Sequence, residues 1–348
     1  MKGSWNKKIN EVYVDPLPFE VQPLPTLILH NPVSVLYFLY KLCFSPAPRQ
    51  VKIAGTFDPN DPSMAVRVTD ESTMLRLWEM GFFGKGSLSR SEPSWYGRTC
   101  RRLGLDGGEM SLEELTELRR QKRRILKRER DLAERQELHN KLVAEGRAEP
   151  VNLIELAALA EEDAQPPIRD EDRELVKGDT IIKLEHLQLM PCEALFLQLG
   201  LGVLDISDND GVMSIMKSVE SLAKGKLLTE YIAYHYYRSL GWCVRSGVKF
   251  GTDFILYRRG PPFQHAEFAV MAVYANRHEI HDWWWSQGVA RVVGSVKKTL
   301  AFAYVEGPDP DLVDYSEIKT ISDWRALLAQ YSVQSVIYSR WTPNRTRD

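Results

Sequence analysis

The run Gly247-Val-Lys-Phe-Gly-Thr-Asp-Phe-Ile-Leu-Tyr257-Arg-Arg-Gly-Pro-Pro-Phe-Gln-His265-Ala-Glu-Phe-Ala-Val-Met-Ala-Val273 decides the fold. Phe254–Tyr257 and Ala266–Val273 are apolar stretches of strand length, and the Gly-Pro-Pro between them marks a turn. Such a turn brings Tyr257 and His265, eight positions apart, back to one end of a strand pair. Gly251 and Asp253 read as turn and strand-entrance residues. Upstream, Leu227–Leu240 carries a helical pattern that Gly241 closes, and Trp242–Arg245 follows as a strand. Downstream, Val289–Ala303 reads as a helix or a helix–strand passage, and Ser335–Ser339 as the last strand. Residues 181–348 are therefore expected to form a mixed α/β domain with a central sheet.

Residues 1–110 read as a small α/β domain in which Leu75, Leu77 and Trp78 lead into the turn Gly81-Phe-Phe-Gly-Lys-Gly86. The most apolar stretch, Val33–Phe44, is broken by Lys41 and is shorter than the roughly 18–20 apolar residues that cross a bilayer. It is expected as a buried helix or strand of that domain. Residues 111–180 are expected to be a charged helix, opening at the capping box Ser111-Leu-Glu-Glu114, followed by an acidic linker over 145–179. The basic run Arg119-Arg-Gln-Lys-Arg-Arg124 reads first as a solvated helix face, because Glu113, Glu114, Glu117, Glu129 and Glu134 permit intrahelical pairs. Contact with RNA phosphates, or a nuclear address, is the alternative.

The 348 residues suffice for two domains, and 45 Lys and Arg against 47 Asp and Glu give a net charge of −2. The whole molecule is thus no general trap for polyanions, and any nucleic-acid contact must come from a local patch or a partner. Cys43, Cys100, Cys192 and Cys243 form no Cys-x-x-Cys pair, so neither a zinc site nor a disulfide framework is suggested. No secretory signal opens the chain, and a reducing compartment is expected.

Tyr257, His265 and the pair Lys297/Lys298 supply the three functions that RNA cleavage without a metal requires. A base takes the proton of a 2′-hydroxyl, an acid protonates the departing 5′-oxygen, and a cation holds the charge of the transition state. An unperturbed phenol, with a pKa of about 10, is a poor base at neutral pH, so a nearby ammonium is expected to lower it. Imidazole suits the acid role. Singly, each residue has a plainer reading: a strand aromatic, a strand-edge histidine, a surface lysine.

Together with their flanks, these segments resemble the catalytic domain of the tRNA-splicing endonucleases, in particular the eukaryotic catalytic subunit assigned to the 5′ splice site. That family has a strand ending in tyrosine, a glycine- and proline-containing turn, His-Ala-Glu opening the next strand, and an Arg-x-x-x-Ser-Val-x-Lys helix start, here Arg291–Lys298. Thr73–Trp95 resembles its N-terminal block. The resemblance implies an endonuclease fold for the C-terminal domain, with Tyr257 as general base, His265 as general acid and Lys298 as electrostatic stabiliser. Lys298 is taken over Lys297 because it follows Arg291 by seven positions, with Lys297 as the alternative. It further implies that Arg291, with an aromatic or second arginine, clamps a flipped intron base, for which Trp341 is the candidate mate. The three tryptophans at 283–285 read instead as packing or partner surface.

By the same resemblance the substrate is an intron-containing precursor tRNA, cut at the 5′ exon–intron junction to leave 2′,3′-cyclic phosphate and 5′-hydroxyl ends. The implied assembly is a nuclear heterotetramer with structural and second catalytic subunits. Neither metal nor cofactor is implied. The alternatives are a catalytic subunit for the 3′ junction and a non-catalytic scaffold subunit, which would lack the triad. A DNA nuclease would need an acidic metal cluster, for which Glu267 is the sole hint.

Overall fold

The computed structural model describes residues 9–20, 24–44, 51–102, 117–127, 130, 176–177, 180–181, 183–276 and 283–339. The chain divides into two compact units, one comprising Met1–Ser87 with His186–Asp348 and the other Leu88–Glu185.

In the first unit, helix α1 (Pro32–Phe44) is followed by β1 (Ile53–Phe57), β2 (Val66–Val68), α2 (Glu71–Glu79) and β3 (Lys85–Gly86). The second unit contributes α3 (Trp95–Arg102), the hairpin of β4 (Val176–Lys177) with β5 (Thr180–Ile181), and a helical stretch over 117–127. Within it, the Glu185 carboxylate accepts from the Trp95 N–H at 2.9 Å. The basic residues 119–127 are exposed, and Arg120 pairs with Glu117 at 3.8 Å, as a solvated helix face would have them. The cap at Ser111 and the acidic stretch over 145–175 lie outside the described residues.

Returning to the first unit, β6 (Leu187–Leu189), α4 (Pro191–Leu195), β7 (Leu204–Asp208) and β8 (Gly211–Val212) join the N-terminal strands. The resulting mixed sheet has the order β3-β6-β2-β1-β7-β8. It therefore takes strands from both sides of the charged segment, with β1 parallel to β7 from Ile53↔Leu204.

The chain continues through α5 (Ile215–Leu222), α6 (Lys226–Ser239), β9 (Cys243–Ser246), β10 (Phe254–Tyr257), β11 (Phe268–Tyr274), α7 (Trp283–Ser295), β12 (Thr299–Glu306), α8 (Ile321–Leu328) and β13 (Ser332–Tyr338). These strands form a second mixed sheet in the order β13-β12-β11-β10-β9. Its central strands are buried on both faces. Phe254, Leu256, Val270, Ala272, Ala301 and Ala303 pack with Tyr231, Tyr234 and Tyr237 of α6, whereas Ile255, Ala269, Met271 and Leu300 pack with Val289 and Val293 of α7. The two-residue alternation along each strand divides the side chains between these cores. A mixed α/β fold with a central sheet is thus present as expected.

Helix α1 departs from expectation, because none of its residues is buried, and Val33 and Phe44 are 71% and 75% exposed. Its apolar side chains are spread around the helix with Lys41 as its one charged residue, so no single face is marked for a core. By contrast, Trp324 of α8 is 1% exposed and packs on Tyr231 at 5.3 Å. Trp324→Ala should cost about 3–5 kcal/mol of stability, read from denaturant unfolding of the purified chain; a loss under about 1 kcal/mol would place Trp324 outside the cooperative core.

Candidate active site

Backbone hydrogen bonds fix where the chemically interesting residues lie. The Glu267 N–H donates to the Leu256 carbonyl at 3.0 Å, and the Glu267 carbonyl accepts from the Thr299 N–H at 3.0 Å. Tyr257 immediately follows Leu256, His265 lies two residues before Glu267, and Lys298 immediately precedes Thr299. All three therefore lie at the same end of β10, β11 and β12. The turn between Tyr257 and His265 closes on Gly260, whose carbonyl accepts from Phe263 N–H at 3.2 Å and Gln264 N–H at 3.4 Å. Gly260 needs its freedom, since its φ is +138°. Asp253 serves the strand entrance: its carboxylate accepts from the Ala272 N–H at 2.8 Å.

Tyr257 is half-buried, and burial pushes its phenol up from the ordinary value. The Arg245 guanidinium pulls it down and the Cys243 thiol adds to the rise. A cation acting on the phenol is thus an arginine of β9. Strand pairing explains this, because Tyr257 lies opposite Cys243 and Arg245 opposite Ile255, so Arg245 is a diagonal neighbour of Tyr257. His265 is exposed.

Arg291–Ser295 ends α7 instead of starting a helix, a second departure from expectation. Lys297 adopts φ +55°, a left-handed conformation of the kind that ends helices, and the Lys298 N–H donates to the Val293 carbonyl at 3.2 Å. Lys297 is exposed, whereas Lys298 is half-buried with its ammonium 5.1 Å from the Phe250 ring centre. Lys298 and Arg291 share a cavity of about 620 Å³ with Gln287, Thr299 and Tyr338; Tyr257 and His265 do not line it. Trp341 lies outside the described residues. Of the tryptophans, Trp285 packs on the core beneath α7, while Trp283 and Trp284 are exposed.

Two arginines behind the site carried no functional reading in the sequence. Arg238 is buried and donates to the Gly81 carbonyl at 3.0 Å, to the Tyr234 hydroxyl at 2.9 Å and to the Val244 carbonyl at 3.4 Å. Arg245 donates to the carbonyls of Phe82 and Gly84, lies over the Trp78 ring at 4.9 Å and approaches the buried Glu193 carboxylate at 3.7 Å. The glycine-rich turn 81–84 hints at close backbone approach, but a partner some 160 positions away has no local signature. Among the described residues, no three His, Cys, Asp or Glu side chains cluster as a metal site, and no helix is long and apolar enough to cross a membrane.

Residues 227–315, which contain Tyr257, His265, Arg291 and Lys298, match the tRNA intron endonuclease catalytic C-terminal domain. The class is therefore that of an RNA-processing endonuclease. Over 392 aligned residues the chain is 40% identical to the tRNA-splicing endonuclease subunit SEN2 of Saccharomyces cerevisiae, covering all of both chains. It is 40% identical to that of Eremothecium gossypii over 97% of each, and 34% identical to the rat subunit Sen2 over 47% of this chain and 36% of that one. The chain belongs to the SEN2 subunit family of the tRNA-splicing endonucleases.

If Lys298 stabilises the transition state, Lys298→Ala should slow single-turnover cleavage of precursor tRNA by about two to three powers of ten. Lys297→Gly, which suits the left-handed backbone there, should leave the rate nearly unchanged. The reverse pattern would transfer the role to Lys297.

Proposed function

We propose that this chain is the catalytic subunit that cuts intron-containing precursor tRNA at the 5′ exon–intron junction. Tyr257 takes the proton of the 2′-hydroxyl, the freed oxygen attacks the adjacent phosphorus, and His265 protonates the 5′-oxygen as it leaves. Lys298 stabilises the charge on the phosphorane. The products are a 2′,3′-cyclic phosphate and a 5′-hydroxyl, and no metal or cofactor takes part. The observation that carries this reading is the strand register joining Leu256, Glu267 and Thr299, with all three groups adjoining it. Arg291, with Trp341 as its mate, is proposed to hold the flipped intron base. The enzyme is proposed to act as a nuclear heterotetramer with structural and second catalytic subunits, the single chain being weak or inactive alone. Cleavage at the 3′ junction is the alternative that product mapping with the reconstituted complex distinguishes.

The buried phenol shapes the pH dependence. A base whose pKa lies above that of its acid partner gives a rate that is level between the two, because each gain in phenolate is offset by a loss of imidazolium. Between about pH 7 and 9 the assembled enzyme should therefore show a nearly flat profile. His265→Ala should lower the rate by about two to four powers of ten with precursor affinity unchanged, and should turn the level region into a rise with pH. A tenfold loss of affinity at unchanged rate would make His265 a binding residue.

A further inference from the structure

The glycine-rich turn 81–84 sits directly against the loop that joins Tyr257 to His265. Phe82 is 4% exposed and holds φ +58°, a conformation uncommon for a residue with a side chain. The surrounding structure imposes it. The neighbouring carbonyls of Gly81, Phe82 and Gly84 all receive guanidinium N–H groups, from Arg238 for the first and from Arg245 for the other two. The Gly84 N–H donates to the buried Glu193 carboxylate at 3.2 Å, and the Phe82 N–H to the Trp78 carbonyl at 3.0 Å. Edge contacts with Trp78 at 5.6 Å and packing on Tyr13 at 5.0 Å aim the ring.

That ring points at Gly260. A methyl placed there would lie 2.2 Å from Phe82, so only glycine admits the approach. Because the Gly260 carbonyl also holds the N–H groups of Phe263 and Gln264, a displacement at Gly260 passes to His265 one residue later. A second brace runs beside it, with Tyr13 against Phe263 at 6.1 Å and the Arg259 guanidinium over Phe263 at 4.0 Å. Strained backbone held by its surroundings is characteristic of groups that must be placed accurately.

We propose that Phe82 is a positioning residue for cleavage: its ring, wedged against Gly260, fixes the turn between Tyr257 and His265 and thereby the separation of base and acid. The role rests on the assignment of Tyr257 and His265 as base and acid. It gives the segment Gly81-Phe-Phe-Gly84 a function in the reaction, although Phe82 itself touches no substrate.

The test uses the reconstituted complex and two precursors, the natural one and one with sulfur replacing the bridging 5′-oxygen at the scissile phosphate. A thiolate departs without an acid, so misplacement of His265 matters only for the oxygen substrate. Phe82→Ala should slow the natural reaction by about ten- to a hundredfold at unchanged KM, and the deficit should largely vanish with sulfur, as it should for His265→Ala. Phe82→Leu, which retains most of the bulk, should show the same selectivity in smaller measure and serves if the alanine variant does not assemble. Equal deficits on both substrates, or none, would overturn the positioning role. A His265→Ala deficit that sulfur does not relieve would instead overturn the acid assignment beneath it.

Discussion

The parallel pairing of β11 with β12 is the constraint on which the site depends. Parallel neighbours cannot be joined by a tight turn and need a crossover, which α7 provides. The crossover returns the chain to the end of the sheet where β11 begins, so Lys298 arrives beside the segment that carries His265. The antiparallel pairing of β10 with β11 brings Tyr257 to that end as well. Had β12 been joined antiparallel to β11, the lysine would have entered from the opposite end.

Burial of charge provides the second constraint. A guanidinium removed from water is costly unless every donor is occupied and an opposite charge is near. Arg238 donates from each of its three nitrogens to the Tyr234 hydroxyl and the Gly81 and Val244 carbonyls, and Arg245 donates through Nη1 to two carbonyls, with aromatic faces beside both and the Glu193 carboxylate 3.7 Å from Arg245. Burial pushes the Glu193 carboxyl up while Arg245 acts against that rise. The cost of placing these charges inside thus yields a rigid junction between the turn 81–84 and β9, and a cation next to the strand that carries Tyr257. A half-buried phenol with a raised pKa ionises sparingly at neutral pH, so in the base role proposed for Tyr257 accurate placement has to make up for weak basicity.

Much of this was legible in the sequence where local signals are strong. Phe254–Tyr257 is a strand between the residues expected, the Gly-Pro-Pro segment turns, and Gly241 follows the C-terminus of α6. Non-local features were not legible. Strand order within the first sheet depends on pairings between segments some 150 residues apart, and alternation in β1 marks its buried face but not its neighbour. The apolar stretch of α1 has the composition of a core helix, yet composition says nothing about whether a covering surface exists. Arg291–Lys298 misled because serine and lysine suit both ends of a helix; the left-handed backbone at Lys297 decided it. Arg245 looked like an ordinary strand residue because its function lies in partners from another part of the chain.

The central claim is that a 2′-hydroxyl of the RNA, activated by Tyr257, is the nucleophile at the junction this subunit cuts. Its most direct test is a precursor tRNA carrying a single 2′-deoxyribose at the scissile nucleotide, offered to the assembled native enzyme under single-turnover conditions. Binding should match that of the all-ribose precursor, the altered junction should remain intact, and the other junction should still be cut. Cleavage at the deoxy position would mean that water or another group attacks phosphorus, which would contradict the roles argued for Tyr257, His265 and Lys298.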